Sequence, residues 1–281
     1  MSGAPLRRHG AAHALQALRA IVLRETLKFV QQTGRLVSAL VRPLLWLAVF
    51  AAGFRNVFGV AIVAPYDTYV PYEVYIAPGL VGMVLLFNGM QSSLAMVYDR
   101  EMGLMRLLLT APLPRPWLLF SKLCATALLS VLQALVFVAV ALLIGTDLPL
   151  HPLAAVHALL ALAAGALMLG ALGLLLSVHI RQLENFAGTM NFVIFPMYFL
   201  SSALYPLWKL QESGAEWVYQ LARLNPFTHA VEWIRFALYG KDPGLAPWVV
   251  LGCGTVFFFL ACWGYNPQRG FGGLTRRGDG A

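Results

Sequence analysis

Residues 75–116 of the chain read YIAPGLVGMVLLFNGMQSSLAMVYDREMGLMRLLLTAPLPRP. The first 23 of them, residues 75–97, contain no charged side chain. About 20 apolar residues are what a helix needs to cross a bilayer. The remaining residues, 98–116, carry charges of both signs and three prolines. This stretch therefore predicts a membrane span that leads directly into a polar connection.

Five further apolar runs resemble residues 75–97 in length and composition. No Asp or Glu occurs in any of the six, and their only formal charges are Arg42 and Lys122. Both lie near one end of a run, where we expect the long side chain to extend to the membrane interface. The sequence therefore predicts an all-α membrane protein with six transmembrane helices. The predicted spans are 36–54, 75–97, 117–144, 153–178, 186–204 and 247–264.

The composition agrees with a polytopic membrane protein. Hydrophobic residues make up 59% of the chain and charged residues 11%, whereas soluble domains average about 25% charged. With the N-terminus inside the cell, 15 of the 20 Lys and Arg fall in cytoplasmic segments. The positive-inside rule therefore predicts that both termini are cytoplasmic. Since the net charge of +8 follows this topology, it does not indicate a nucleic-acid partner.

The predicted spans divide the chain into three parts. Residues 1–35 form a cytoplasmic N-terminus, residues 36–264 form the membrane domain, and residues 265–281 form a cytoplasmic tail. Within the membrane domain, we expect 98–116 to be a cytoplasmic loop and 205–246 to be an outer segment.

The N-terminal part contains a predicted amphipathic helix over 12–33. Its apolar residues recur at helical spacing, and its charged residues share the other face, which is typical of a helix in the headgroup plane. The alternative is a soluble-type helix docked on the membrane domain. The apolar face comprises Leu15, Leu18, Val22 and Phe29, and the polar face comprises Arg24, Glu25, Lys28, Gln31 and Gln32.

The outer segment 205–246 is too polar to span the membrane but is rich in aromatic residues. Asn225-Pro226 breaks it in the middle. We predict two short amphipathic helices, about 213–223 and 227–239, that lie in or dip into the outer leaflet as re-entrant pieces. Because irregular backbone at membrane depth must be shielded by protein, these helices should pack against the spans.

The cytoplasmic loop is the candidate contact for a partner protein. Residues 98–110 predict a short helix with mixed charge and an apolar face, which the prolines then end. A solvated connector is the alternative, but a free loop rarely has this apolar content. The face comprises Met102, Met105, Leu108 and Leu109, and the prolines are Pro112, Pro114 and Pro116.

Small and polar residues are frequent in the second and fifth predicted spans. They favour close helix packing and interhelical hydrogen bonds, and one face could also line a substrate path. The candidates for that path are Asn88, Gln91, Ser92, Asn191, Ser201 and Ser202.

The sequence contains no motif for chemistry of its own. A phosphate-binding G-x-x-x-x-G-K-[ST] loop is absent, as are H-E-x-x-H and G-x-S-x-G. The three cysteines fit neither a metal site nor a disulfide framework. A transporter coupled to protons usually needs an ionisable residue at mid-membrane, and we expect none here. We therefore expect a protein that is not an enzyme, binds no cofactor or metal itself, and takes its energy from a partner.

Two motifs resemble those of type-2 ABC exporter permeases. One is Tyr98-Asp-Arg-Glu101-x-Gly103-x-Met-Arg-x-Leu-Leu-x-x-x-Pro112-x-Pro114, which resembles the cytoplasmic loop of that family. The other begins at Phe195 and runs through Tyr205-Pro206 to Leu224-Asn225-Pro226 and Arg235, and it is similar to the fifth span and outer helices. The six-span order with an N-terminal interfacial helix agrees.

This resemblance implies a permease subunit in the cytoplasmic (inner) membrane. Its partners would be two copies of an ABC ATPase, which hold ATP and Mg, and a second permease copy in a homodimer or heterodimer, surrounded by membrane lipid. It would export a drug-like, lipid or glycan substrate. The alternative is a non-transporting assembly or binding protein of the same architecture. The expected ATPase-coupling residues are Asp99, Arg100, Glu101, Met102, Gly103, Met105 and Arg106.

Overall fold

The computed structural model describes residues 11–31, 33–54, 65–66, 70–102, 114–146, 152–180 and 182–265. Within these ranges the chain forms ten helices and is otherwise made of turns and short connections. In chain order they are α1 (Ala11–Gln31), α2 (Thr33–Phe54), α3 (Tyr72–Glu101), α4 (Arg115–Leu143), α5 (Pro152–His179), α6 (Leu183–Phe199), α7 (Leu207–Glu212), α8 (Glu216–Leu224), α9 (Pro226–Leu238) and α10 (Ala246–Gly264).

Four of the described helices are long and apolar enough to cross a membrane: α3, α4, α5 from Ala154 onward, and α10. They confirm four of the predicted spans, with boundaries that move by a few residues. The apolar part of α2 is shorter, Val41–Phe50, and α6 has 17 residues. The chain is therefore a multi-pass membrane protein, while the total of six crossings stays a prediction.

Helix α3 lies at the centre of the bundle, where α2, α4, α5, α6 and α9 pack around it. Its contact with α5 is made by small residues. A Cβ atom on Gly89 would lie 3.0 Å from the backbone of Leu169 and Gly170, and one on Gly173 would lie 2.5 Å from Ser93 Oγ. Only glycine permits this approach, which confirms the packing interpretation of the small residues in α3.

The two charged residues of the predicted spans both contact groups on α3, and their extension to the membrane interface stays a prediction. The Lys122 side chain is 9% exposed and its Nζ lies 3.3 Å from Asp99 Oδ2 at the end of α3. The Arg42 guanidinium carbon lies 4.2 Å from the centroid of the Phe87 ring on α3. Each cation contacts a group on a neighbouring helix, and the sequence of its own helix does not predict that contact.

Helix α6 ends at Phe199, five residues before the predicted end of the fifth span. The Asn225 side chain explains this end, because its Nδ2 donates to the carbonyls of Met197 at 2.8 Å and Leu200 at 2.7 Å. The same side chain accepts a hydrogen bond from Phe227 N and so caps α9. The predicted break at Asn225-Pro226 is confirmed, and one amide serves two helix ends.

The two predicted helices of the outer segment are confirmed as α8 and α9, and α7 is an additional short helix. Helix α9 packs against α3, α5 and α10 and buries an apolar face, as expected for shielded pieces. Helix α8 instead exposes an apolar stripe. The stripe comprises Trp217, Leu221 and Leu224.

Helix α1 is formed as predicted, but its faces are distributed differently. Phe29 is buried and Leu15 exposed, so the predicted apolar face is split between protein and surroundings. The charged residues Arg24 and Lys28 turn toward the end of α3. Trp117 Nε1 on α4 donates to the Ala14 carbonyl at 2.9 Å. The outward side of α1 is largely apolar and includes Leu15, Leu23, Leu27 and Val30.

Candidate functional site

The end of the bundle that carries α1, called here the α1 end, contains a buried carboxylate with three cations around it. Asp99 Oδ2 lies 3.3 Å from Lys122 Nζ and 3.9 Å from Arg24 Nη2, and Asp99 Oδ1 lies 3.7 Å from Lys28 Nζ. The Asp99 side chain is 4% exposed, whereas those of Arg24 and Lys28 are 36% and 42% exposed. These four residues, the Asp99 cluster, join α1, α3 and α4 through one carboxylate.

The last turn of α3 also has an exposed side. Tyr98, Glu101 and Met102 are exposed there, at the spacing of one helix face. Glu101 Oε2 also accepts a hydrogen bond from Leu183 N at 3.3 Å, at the first residue of α6. A carboxylate is favourable at this helix N-terminus, so Glu101 links the end of α3 to the start of α6.

The predicted coupling residues therefore differ in how exposed they are. Asp99 is buried inside the α1 end, Arg100 is half-buried, and Glu101 and Met102 are exposed. The predicted short helix over 98–110 begins as the last turn of α3, which ends at Glu101. Gly103, Met105 and Arg106 lie outside the described residues.

A cavity of about 300 Å³ lies beside the Asp99 cluster, between α1, α3 and α4. Its lining combines apolar groups such as Phe29 and Leu129 with ionised and hydroxyl groups. The cavity leaves free space next to the carboxylate of Asp99. The polar lining comprises Glu25, Lys28, Ser92, Tyr98, Asp99, Lys122 and Thr126.

The six candidates for a substrate path are not brought together in this chain. Asn88 is buried and its Nδ2 donates to Gln133 Oε1 on α4. Ser201 and Ser202 are buried at the opposite end of the bundle. Gln91 and Ser92 are half-exposed on α3, and Asn191 is exposed on α6.

The end that carries α9, called the α9 end, contains a second buried charge. Arg235 is 2% exposed, and its Nη2 donates to the Ser202 carbonyl at 2.8 Å and the Tyr75 carbonyl at 3.5 Å. Its Nη1 pairs with Glu232, and its guanidinium carbon lies 4.2 Å from the centroid of the Tyr75 ring. These residues form the Arg235 cluster, which joins α9 to α3 and to the segment after α6. Its members are Tyr75, Ser202, Glu232 and Arg235.

Tyrosines surround the Arg235 cluster and hold the segment after α6. Tyr72 Oη donates to the Leu204 carbonyl at 2.7 Å, and Tyr75 Oη donates to the Ser202 carbonyl at 3.0 Å. Burial raises the pKa of the Tyr66 phenol. Hydrogen bonds from Tyr72, Tyr75 and Arg235 therefore fix the segment after α6 at the α9 end.

Sequence reasoning missed several members of these sites. Arg24, Lys28 and Lys122 were not associated with Asp99, since nothing in the sequence pairs residues of three different helices. Tyr98 was quoted in the loop but not among the coupling residues. Its position three residues before Glu101 and four before Met102 is a signal that could have placed it on the exposed face.

Comparisons with known proteins identify a family and several relatives. The model of the family described as ABC-2 type transporter matches residues 16–239. The chain is 30% identical over 232 residues to "Putative transport permease ycf38" of Porphyra purpurea, covering 81% of this chain and 76% of the relative. It is 30% identical over 239 residues to the protein of the same name in Cyanophora paradoxa, covering 82% and 77%.

A more distant relative carries a more specific name. The chain is 23% identical over 254 residues to "Daunorubicin resistance ABC transporter permease protein DrrB1" of Streptomyces coeruleorubidus, covering 89% of this chain and 86% of that protein. The family match includes α3 with its exposed last turn and extends through α9. The chain therefore belongs to the ABC-2 type transporter family and is a multi-pass transport permease.

Proposed function

We propose that this chain is the membrane subunit of an ATP-driven exporter. Two copies of it, or one copy and a related permease, would work with two ABC ATPase subunits that bind ATP and Mg. The carrying observation is the exposed face of Tyr98, Glu101 and Met102 at the end of a 30-residue helix. A partner that pushes on this face would move α3, which lies at the centre of the bundle.

The proposed topology has six crossings, made by α2, α3, α4, α5, α6 and α10, in the cytoplasmic membrane. Both termini are on the cytoplasmic side, as is the α1 end with its basic residues. Helix α1 lies in the inner headgroup region, and its outward apolar residues support that position. Helices α8 and α9 form the outer re-entrant segment.

Movement would pass from the coupling loop into the bundle through the Asp99 cluster. Glu101, Met102 and Tyr98 contact the ATPase, together with Gly103, Met105 and Arg106 of the loop. Asp99 is buried, so its part is internal: it holds α1 and the start of α4 to the end of α3. The ATPase would therefore displace three helices rather than one.

The second permease copy would pack near α6. Asn191 and Phe192 are exposed on this helix, and a polar amide that faces lipid lacks hydrogen-bond partners. A facing protomer or a hydrated substrate path would supply hydrogen-bond partners for this amide, whereas lipid does not. We place the path between the two copies, with Gln91, Ser92 and Asn191 along it.

The substrate would be drug-like, a lipid or a glycan. The name of the DrrB1 relative refers to daunorubicin resistance, which makes daunorubicin a suitable first compound in a transport assay. That name concerns the relative, so the panel should also contain a fluorescent phospholipid and an oligosaccharide.

The test is co-purification of the tagged chain from mild detergent, followed by an ATPase assay and transport in proteoliposomes. We expect an ABC ATPase to co-purify with the wild type. Glu101→Arg should lower its recovery and reduce ATP-dependent transport about tenfold or more, with normal insertion, because one buried contact of a charged pair can be worth this factor.

Two control variants separate local structure from partner contact. Glu101→Gln keeps an acceptor for Leu183 N but removes the charge, and Glu212→Arg makes the same change as Glu101→Arg on exposed α7 at the opposite end. Normal transport by Glu101→Arg would refute the coupling role. If no ATPase co-purifies even after cross-linking at the α1 end, a non-transporting assembly protein becomes the better interpretation.

A further inference from the structure

Arg42 carries a charge to the middle depth of the membrane domain. Its guanidinium carbon lies 4.2 Å from the centroid of the Phe87 ring. Phe87 is twelve residues before Asp99 and fifteen after Tyr72 on α3, or about 18 Å and 22 Å at helical rise. The guanidinium therefore lies far from both ends of α3, in a region where ionised groups are rare and usually functional.

The chain itself offers little to neutralise this cation. The six predicted spans contain no Asp or Glu. Arg42 forms no ion pair with another described residue. The contact with the Phe87 ring compensates only part of the cost of removing a guanidinium from water. Since Arg42 is also exposed, it requires water or an anion next to it.

A second polar group lies close by on α3. Gln91 is four residues after Phe87 and therefore on the same helix face. It is half-exposed, and among the described residues its buried Oε1 atom has no hydrogen-bond partner. A cation and an amide oxygen that lack polar partners among the described residues are unfavourable in lipid at this depth but suit a hydrated passage.

We infer that Arg42, Phe87 and Gln91 line a water-filled part of the translocation path, and that Arg42 attracts an anionic group of the substrate. The anion is a phosphate, carboxylate or sulfonate on an amphiphile whose apolar part contacts Phe87. The assignment to a substrate rests on the proposed function. The hydration of the site does not, so its test needs no ATPase.

The test uses the full-length chain in nanodiscs, with Cys124, Cys253 and Cys262 replaced by serine. Arg42→Cys and Gln91→Cys are treated with the negatively charged thiol reagent MTSES and its positively charged counterpart MTSET. Leu128→Cys is the matched control, because Leu128 is 53% exposed on an apolar face of α4. We expect both path positions to react and the control to stay unmodified. Unreactive Arg42→Cys and Gln91→Cys would overturn the inference.

The second measurement tests the field of Arg42. In the Gln91→Cys variant, the positive charge of Arg42 should favour the anionic reagent. Adding Arg42→Gln removes that charge, so the ratio of the MTSES rate to the MTSET rate should fall about tenfold. Arg42→Lys should retain the ratio. If Arg42→Gln leaves the ratio unchanged, Arg42 does not attract anions. A carboxylate of a second copy that already neutralises Arg42 would give that result too, and it would equally overturn the inference.

Discussion

The Asp99 cluster and the Arg235 cluster solve the same problem, a charge buried in a membrane protein, in different ways. Asp99 is surrounded by three cations at 3.3 to 3.9 Å, two of them on a partly exposed helix, and a cavity of about 300 Å³ lies beside it. Arg235 is enclosed by a carboxylate, two carbonyls and an aromatic ring.

This difference concerns how easily each contact can change. At 3.7 and 3.9 Å, Lys28 and Arg24 attract Asp99 without forming hydrogen bonds. Such pairs are adjustable and screened by salt. The guanidinium of Arg235 has directed bonds to fixed backbone groups, and moving it would leave those groups unsatisfied. The comparison indicates that the α1 end is built to move and the α9 end to stay fixed.

The largest effect should come from removing Arg235. Arg235→Met leaves Glu232 and the carbonyls of Tyr75 and Ser202 without their donor, and we expect a loss of about 3–5 kcal/mol in the free energy of unfolding. Arg235→Lys should cost less, because it keeps the charge but not the planar fork. Thermal unfolding of the purified chain in detergent measures both. Arg223→Met on exposed α8 is the control, and equal unfolding temperatures for Arg235→Met and Arg223→Met would contradict the fixed role.

Removing Asp99 should lower the stability of the chain more than removing Lys122. Asp99→Asn removes the carboxylate that pairs with the buried Lys122, and we expect a cost of about 2–4 kcal/mol in unfolding free energy. Lys122→Met leaves Asp99 with Arg24 and Lys28 still within 4.0 Å, so its cost should be about 1–2 kcal/mol. The same unfolding experiment decides the order. Equal costs would show that the α1 cations do not compensate.

Asn225 is an uncharged residue at the α9 end whose side-chain hydrogen bonds connect two helix ends. Asn225→Ala removes two bonds to the end of α6 and the cap of α9, and should cost about 2 kcal/mol at the usual net value per hydrogen bond. Asn225→Ser keeps an N-cap acceptor but loses both donors, so it should fall between wild type and alanine. Serine and alanine variants of equal stability would locate the effect in the α6 contacts alone.

The smallest effect, and the one that separates the two clusters most directly, is salt dependence. Raising the ionic strength from about 0.1 M to 1 M shortens the Debye length from about 10 Å to 3 Å. The wild type should lose about 0.5–1 kcal/mol of stability through the exposed Arg24 and Lys28 pairs. The Arg24→Gln/Lys28→Gln variant should lose this dependence, whereas Arg235→Lys should keep it. If the double variant keeps the salt response, the salt-sensitive interaction does not involve Arg24 and Lys28.

The sequence predicted the features that depend on local composition. Four spans, the amphipathic α1, and the pair α8 and α9 around Asn225-Pro226 follow from apolar run length and turn chemistry. What it could not predict depends on contacts between distant residues. Lys122 and Asp99 are 23 residues apart on different helices, so burial beside a carboxylate could not be distinguished from extension to the interface.

The candidate site follows the same division. The charges of residues 98–102 led to the prediction of a coupling site there, but only the fold shows that Asp99 is buried while Glu101 and Met102 are exposed. Likewise, the early end of α6 is set by an amide that lies 25 residues beyond Leu200. A pattern of hydrophobic residues contains no information about that donor.

The Asn225 side chain also constrains the order in which the chain matures during synthesis. The carbonyls of Met197 and Leu200 receive their donors from a residue that leaves the ribosome 28 and 25 positions later. In the proposed topology α6 crosses the membrane, and until Asn225 arrives its end lacks those partners, a state that lipid does not stabilise. We therefore expect a nascent chain arrested before Asn225 to release α6 into the bilayer later than a chain arrested after α9.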